Sequence, residues 1–140
     1  MESYTTPYYA RLQGTSNWNQ WISIVKMIAV AEDVWHYLDP EAADRPELVK
    51  PVAPIPNLVD LDTATILNLD AEQFKRIEFL STQYRFELED YYRQKKAILS
   101  IQRHIMSTTG SFYGPIELEN DVARQLELLQ NRFKPTIFNR

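Results

Sequence analysis

The sequence predicts an all-α fold, a small helical bundle with a proline-rich loop after the first helices. Three stretches repeat apolar residues at intervals of three and four, which places those residues on one face of a helix. Residues 70–109 contain neither glycine nor proline, the two residues that most often interrupt a helix. No stretch of useful length alternates apolar and polar residues, the pattern typical of a strand.

The first helix is predicted to begin at Asn17, after an N-terminal arm over residues 1–13 that we expect to be extended or loosely ordered. Asn17 can cap a helix, and Gln20 stands three residues later, which resembles a capping box. The helix should run to about residues 30–33. Its apolar residues share one face and are Trp18, Trp21, Ile22, Val25, Ile28 and Ala29.

A short helical or turn segment over residues 34–38 is expected next, followed by a proline-rich loop over residues 39–69. Five of the eight prolines lie in this loop, and proline disfavours helix both at its own position and before it. We predict an irregular surface segment with one helical turn at residues 42–45. It either is partly mobile or packs through a few apolar side chains, namely Val52, Ile55, Leu58 and Leu61.

A long helix is predicted from Asp70, a good N-cap with Gln73 three residues on, to Gly110, which ends it. A straight helix of about 36 residues would be about 54 Å long, more than the width of a small domain. The helix therefore either bends or breaks near Ser81-Thr82, or it projects and is covered by a partner. Its expected core face is Phe74, Ile77, Leu80, Tyr84, Leu88, Tyr91, Ile98, Ile101 and Ile105.

The last helix is predicted to begin at Asn120 or Asp121 and to stop before Pro135. Its apolar residues recur at steps of four, three and four and are Val122, Leu126, Leu129 and Phe133. The sequence thus divides into the N-terminal arm, one helical domain over residues 14–136 and a tail over residues 137–140.

The composition is that of an ordinary globular domain, with 140 residues, 44% hydrophobic and 24% charged. There is no cysteine, which excludes disulfides, thiol chemistry and cysteine-based zinc sites. The net charge of −4 argues against binding nucleic acid mainly through phosphate neutralisation. RNA binding would need a local basic patch.

No membrane association is expected. The N-terminus lacks a basic segment followed by an apolar run, the mark of a secretory signal. The longest apolar stretch, residues 22–30, is interrupted by Ser23 and Lys26 and is too short to span a bilayer. These features predict a soluble protein.

No set of residues points to catalysis, so we predict that the chain is not an enzyme and binds neither cofactor nor metal. His36 and His104 are far apart in sequence and outside any ligand motif. Three glycines in the whole chain form no phosphate-binding loop. Glu87, Glu89 and Asp90 are close together, but they are typical of the solvated face of a helix.

Aromatic residues supply the candidate partner or oligomer interface, namely Trp18, Trp21, Trp35, Tyr91 and Tyr92. Trp18 and Trp21 share the apolar face of the first helix, so a place in the core is the favoured interpretation. The alternative is a groove for a peptide or a partner helix, where aromatic anchors are common. Tyr91 and Tyr92 are adjacent in a helix and cannot share one face, so at least one should lie off the core.

A local basic stripe lies in the second half of the long helix, where no acidic residue occurs between Asp90 and Glu117. Its candidate residues are Arg93, Lys95, Lys96 and Arg103. Cations near a helix C-terminus complement the helix dipole, so a solvated helix end is the favoured interpretation. The alternative is contact with RNA or with an acidic patch on a neighbouring subunit.

Several segments resemble the Gag capsid region of fungal Ty1/copia-type retrotransposons. Residues 12–21 follow the pattern L-x-G-x-x-N-W-x-x-W, and residues 35–40, WHYLDP, stand where such proteins carry a Y-x-x-P-like segment. Residues 87–91, ELEDY, precede residues 97–105, AILSIQRHI, as in the long helical region of that family. Residues 126–136 resemble the helix that follows. The order and spacing of the segments carry the resemblance more than any one motif.

The resemblance implies a capsid N-terminal-domain-like bundle that self-associates, or binds other capsid domains, in cytoplasmic virus-like particles. It also implies that the chain ends where such proteins continue into a second capsid half. The chain would then be a cut-out domain or a host-adopted derivative. An adopted derivative would act as a protein- or peptide-binding adaptor, with a nuclear location possible. RNA binding through the basic stripe is the second alternative.

Overall fold

The computed structural model describes residues 11–54 and 70–135, and within these ranges it contains helices and no strand. The predicted all-α fold is therefore confirmed. The chain divides into two compact units, one formed by Met1–Glu47 with Gln94–Arg140 and the other by Leu48–Arg93. Most of the predicted arm and the predicted tail lie outside the described residues.

The end of the predicted arm is ordered. Leu12 is buried, and its backbone N–H donates to the carbonyl oxygen of Thr108 at 2.7 Å. A short 3-10 helix, Thr15–Asn17, follows Gly14. Of the two expectations for residues 1–13, extended or loosely ordered, the second does not hold for Leu12, because an apolar side chain and a backbone hydrogen bond tie it to the core.

Helix α1, Trp18–Ala31, begins where the sequence predicts but without the predicted capping box. The Asn17 side chain makes no bond to the helix. Instead its Oδ1 accepts from the Gln13 N–H at 2.8 Å, and its Nδ2 donates to the Arg11 carbonyl at 2.6 Å. Asparagine side chains readily bond to nearby backbone groups, and here the preceding loop takes the bonds that a cap would have made.

A tight turn joins α1 to helix α2, Trp35–Leu38. Asp33 takes a left-handed conformation with φ 59°, which short polar residues adopt more readily than most. The turn brings the Val34 N–H to the Ala29 carbonyl at 2.9 Å and buries the Val34 side chain. Helix α2 ends before Asp39-Pro40, as predicted.

Helix α3, Ala71–Thr109, is a single unbroken helix of 39 residues, with no break at Ser81-Thr82. Its predicted capping box is present. The Gln73 N–H donates to Asp70 Oδ1 at 2.7 Å, and the Asp70 N–H donates to Gln73 Oε1 at 3.0 Å. These two bonds satisfy backbone donors that a bare helix start would leave open.

Gly110 ends α3 with φ 54°, a conformation that glycine adopts without strain. The chain continues as a 3-10 helix, Gly110–Ile116, and then as helix α4, Val122–Phe133. Asp121 caps α4, because its side chain accepts from the Ala123 N–H at 3.1 Å. After the helix Lys134 is extended, as expected of the residue before a proline.

The first unit contains every buried residue among those described. The core joins α1, α2, the second half of α3 and α4, and its largest fully buried apolar side chains are Trp18, Trp21, Leu38, Ile101, Ile105, Leu126 and Leu129. The apolar face predicted for α4 is buried throughout, at Val122, Leu126, Leu129 and Phe133. None of the described helices is long and apolar enough to cross a bilayer.

The beginning of the proline-rich loop is fixed to α4 by charged side chains. Arg45 Nη2 lies 2.6 Å from Glu127 Oε2, and its Nη1 donates to the Asp39 carbonyl. Lys134 Nζ lies 2.5 Å from Glu41 Oε1. Lys134 lowers the pKa of Glu41, and Arg45, then Arg124, lower the pKa of Glu127.

Two expectations for this loop are wrong. Residues 42–45 form no helical turn. The Asp39 carbonyl accepts from the Ala42 N–H and from the Arg45 side chain, which hold this segment in an irregular conformation. Val52 is 79% exposed and does not pack. The other apolar side chains expected to pack, at residues 55, 58 and 61, lie outside the described residues.

Candidate functional site

The tryptophans of α1 belong to the core. Trp18 and Trp21 are 2% and 0% exposed, and their ring centroids lie 5.5 Å apart. Trp21 Nε1 donates to Thr108 Oγ1 at 2.9 Å, a buried bond that links α1 to the end of α3. An interface role for Trp21 is therefore wrong in the folded chain, because the whole ring is already desolvated and paired.

Trp35 is half-buried and lines a shallow groove beside α1. Trp18 and Ile22 supply the other apolar walls, and the groove has a volume of about 240 Å³. Lys26 Nζ lies 5.9 Å from the Trp35 ring centroid, a cation–π distance. Ligand pockets usually have volumes of about 300–1,000 Å³. The groove therefore suits one side chain of a partner better than a small molecule.

Tyr91 and Tyr92 divide as expected. Their rings meet edge to face at 5.3 Å. Tyr91 is half-buried and Tyr92 is 48% exposed, so Tyr92 is the one that lies off the core face of α3. Lys50 Nζ lies 5.7 Å from the Tyr92 ring, and hydrogen bonding to Tyr92 raises the pKa of Lys50. Tyr92 thus already has a partner in its own unit.

The candidate basic stripe does not form one face. Arg93 donates to Asp90 Oδ1 at 2.9 Å, which offsets its charge locally. Lys96 and Arg103 are exposed and seven residues apart, hence on one side of α3. Lys95 is turned away from Lys96 by about 100°. The RNA hypothesis stays a prediction, with Lys96 and Arg103 as its best-placed pair.

The first half of α3 holds the feature that the sequence analysis missed. Between residues 71 and 93 no described side chain is buried, although the residues at 77, 80, 84, 88 and 91 are half-buried. Phe74 is 54% exposed, so its predicted place in the core is wrong. Phe79 and Phe86 are 68% and 64% exposed, on the side of α3 away from its expected core face. Their spacing of seven residues was the signal in the sequence.

Among the described residues, two buried side-chain atoms have no hydrogen-bond partner, His104 Nε2 and Gln125 Oε1, and both belong to the first unit. Gln125 is otherwise held, since its Nε2 donates to the Glu119 carbonyl at 2.7 Å and to the Tyr113 hydroxyl at 3.3 Å. Burial lowers the pKa of His104. Neither atom opens onto the groove, whose lining includes neither residue.

Within the described ranges no group of three or more His, Cys, Asp or Glu side chains could hold a metal ion. Comparisons with models of protein families, with curated proteins and with solved structures give no match to this chain. Among the described side chains, the exposed phenylalanines of α3 are the strongest indication of function.

Proposed function

We propose that this chain is an assembly module of the Gag capsid kind, which self-associates through helix faces and catalyses no reaction. One observation carries the proposal. The first half of the 39-residue helix α3 buries no described side chain, yet it exposes Phe74, Phe79 and Phe86. Large exposed apolar surface on a soluble domain is typical of a protein interface.

Burying one phenylalanine side chain stabilises a folded or assembled state by about 1.5–3 kcal/mol. Three such side chains left in water on one helix forgo that stabilisation. Self-association through α3 would recover part of it. The resemblance of residues 12–21, 87–105 and 126–136 to Gag capsid segments supports the capsid kind of assembly over other kinds.

Sedimentation velocity over a wide concentration range tests self-association. We expect the weight-average sedimentation coefficient to rise with protein concentration, and to fall back to that of the monomer in the Phe79→Ser/Phe86→Ser variant. The groove variant Trp35→Ala is the matched control, because it removes an aromatic side chain elsewhere and should still associate. A wild-type chain that stays monomeric at millimolar concentration would overturn the proposal.

A second candidate, a protein- or peptide-binding adaptor, is favoured by the groove lined by Trp18, Ile22 and Trp35. An apolar peptide side chain seated there would bring Trp35 out of water. Screening a peptide library by tryptophan fluorescence, and measuring the binding of each hit to wild type and to Trp35→Ala by calorimetry, tests this role. Peptides that bind both proteins equally, or no binding peptide at all, would exclude it.

A further inference from the structure

The side of α3 that faces solvent between residues 71 and 93 carries two phenylalanines seven residues apart. Seven residues make about two turns of an α-helix, so the Phe79 and Phe86 rings lie one above the other on the same side. Both are about two-thirds exposed, at 68% and 64%. We call this surface the Phe79/Phe86 face.

Two rows of polar residues flank these rings, and they repeat at the same interval of seven. The rows are Lys75, Thr82 and Glu89 on one flank, and Arg76, Gln83 and Asp90 on the other. Each row is basic toward the helix N-terminus, neutral in the middle and acidic beyond. Lys75 and Arg76 lie in the second turn of α3, beyond the reach of the helix dipole, so the dipole does not account for this order.

We propose that a second copy of this chain covers the Phe79/Phe86 face, with the two α3 helices antiparallel about a two-fold axis between Thr82 and Gln83. This inference rests on the proposed self-association and names its surface and orientation. In this arrangement Phe79 of each copy packs on Phe86 of the other. A two-fold interface repeats every contact and must be complementary to itself.

The flanking charges meet that requirement. The axis places Lys75 of one copy opposite Glu89 of the other, and likewise Arg76 opposite Asp90. Asp90 already accepts from Arg93 of its own chain, but a carboxylate has lone pairs for a further donor. Lys75, Arg76 and Glu89 make no ion pair among the described residues.

The same charges argue against the parallel arrangement. Parallel helices in register would place Lys75 of one copy opposite Arg76 of the other, and Glu89 opposite Asp90. Like charges so placed repel each other. An unrelated partner protein would give no reason for the two rows to be complementary to themselves.

Cross-linking tests the orientation, and the absence of cysteine from the chain makes single-cysteine variants clean. Thr82→Cys lies beside the axis, so a short bismaleimide linker should join two copies. Lys75→Cys should not cross-link to itself, because the two sites would be about 22 Å apart along the helices. A mixture of Lys75→Cys and Glu89→Cys should give the mixed dimer.

The outcomes distinguish failure of the inference alone from failure of the proposed function. Cross-linking of both Thr82→Cys and Lys75→Cys would mean a parallel pair and would overturn the inference alone. Wild-type protein that associates while neither variant cross-links would place the contact elsewhere, again overturning only the inference. A monomeric wild-type chain overturns both.

A charge-reversal cycle supplies an independent test. Lys75→Glu and Glu89→Lys should each weaken self-association at least about threefold, because each disrupts two symmetric ion pairs. The double variant Lys75→Glu/Glu89→Lys should restore the wild-type dissociation constant. Additive weakening in the double variant would contradict the antiparallel pairing. Both sites are exposed, and far-UV circular dichroism checks that each variant folds.

Discussion

At the scale of single residues, a buried hydrogen bond between two side chains links α1 to the end of α3 in the core of the first unit. Trp21 Nε1 donates to Thr108 Oγ1, and the Thr108 hydroxyl donates in turn to the His104 carbonyl at 2.7 Å. Thr109 is buried beside it but bonds only to the Ile105 carbonyl of its own helix. The two adjacent threonines therefore have different partners in the same environment.

We predict that Thr108→Val destabilises the fold by about 1–3 kcal/mol, because it leaves the buried Trp21 N–H without an acceptor. Thr109→Val is the matched control and should cost less, since it removes only a local bond within the helix. Chemical denaturation of both variants measures the difference. Equal losses would show that the Trp21 contact contributes little.

His104 gives a prediction about pH. Burial lowers its folded pKa below the ordinary value of 6.5, so the unfolded chain takes up this proton first as the pH falls. The stability associated with neutral His104 is present above the unfolded pKa and is lost as the pH falls toward the folded pKa. The loss is on the order of 1 kcal/mol for each unit between the two pKa values.

Thermal unfolding between about pH 7.5 and about pH 5.5 should therefore show a loss of stability in the wild type that is smaller in His104→Leu. The exposed His36→Leu variant controls for removal of a histidine. Glu41 and Glu127 do not change stability in this pH range. Their pKa values are lowered in the folded chain, so the stability that they contribute is complete above the unfolded pKa of 4.5 and is lost only below it. Parallel pH profiles for wild type and His104→Leu would contradict the assignment.

At the scale of elements, two similar capping patterns had different outcomes. Asp70 with Gln73 forms the reciprocal box, whereas Asn17 with Gln20 does not. The difference lies in what precedes each helix. The backbone of Arg11 and Gln13 lies within reach of the Asn17 side chain, and a pattern of four residues cannot reveal such competition from a loop.

The apolar periodicity of α3 had the same limitation. The spacing correctly predicted one long helix, and it correctly placed Ile101 and Ile105 in the core. It could not tell where burial stops, because the same three-and-four pattern continues through Phe74, which is exposed. Burial depends on which other segments reach the helix, and that is not encoded in the periodicity of the helix itself.

The two aspartate caps should differ in effect. Asp121→Ala removes the cap of α4, which buries six residues, so we expect a global loss of about 1 kcal/mol. Asp70→Ala removes the cap of a helical stretch that buries no described side chain before Gln94. Its loss should appear as fraying of the first turns of α3, with little change in the global unfolding temperature.

Hydrogen exchange resolves the two cases. In Asp70→Ala, amides over residues 71–77 should exchange faster while those over residues 97–109 do not change. In Asp121→Ala, thermal unfolding should shift to lower temperature. A global shift caused by Asp70→Ala, equal to that of Asp121→Ala, would mean that the first half of α3 is more strongly coupled to the core than its exposure indicates.

At the scale of the whole molecule, the described core and the proposed assembly surface lie in different units. Every buried side chain among those described belongs to Met1–Glu47 or Gln94–Arg140. The exposed phenylalanines of α3 belong to Leu48–Arg93. Folding stability and self-association should therefore be separable by mutation, because they depend on different side chains.

We expect Phe79→Ser/Phe86→Ser to abolish self-association while leaving the free energy of unfolding of the dilute monomer within about 0.5 kcal/mol of wild type, as is usual for surface substitutions. The core variant Leu126→Ala should lose about 2–5 kcal/mol of unfolding free energy in dilute solution. It should still self-associate at high concentration. At high concentration the wild type and Leu126→Ala should also gain apparent stability, and the phenylalanine variant should not, because association stabilises the folded state by mass action. Sedimentation and chemical denaturation, each at low and high protein concentration, measure both quantities on the same samples. If the phenylalanine variant lost stability in dilute solution as the Leu126 variant does, the exposed rings would be part of the folded core, and the assembly surface would have to be sought elsewhere.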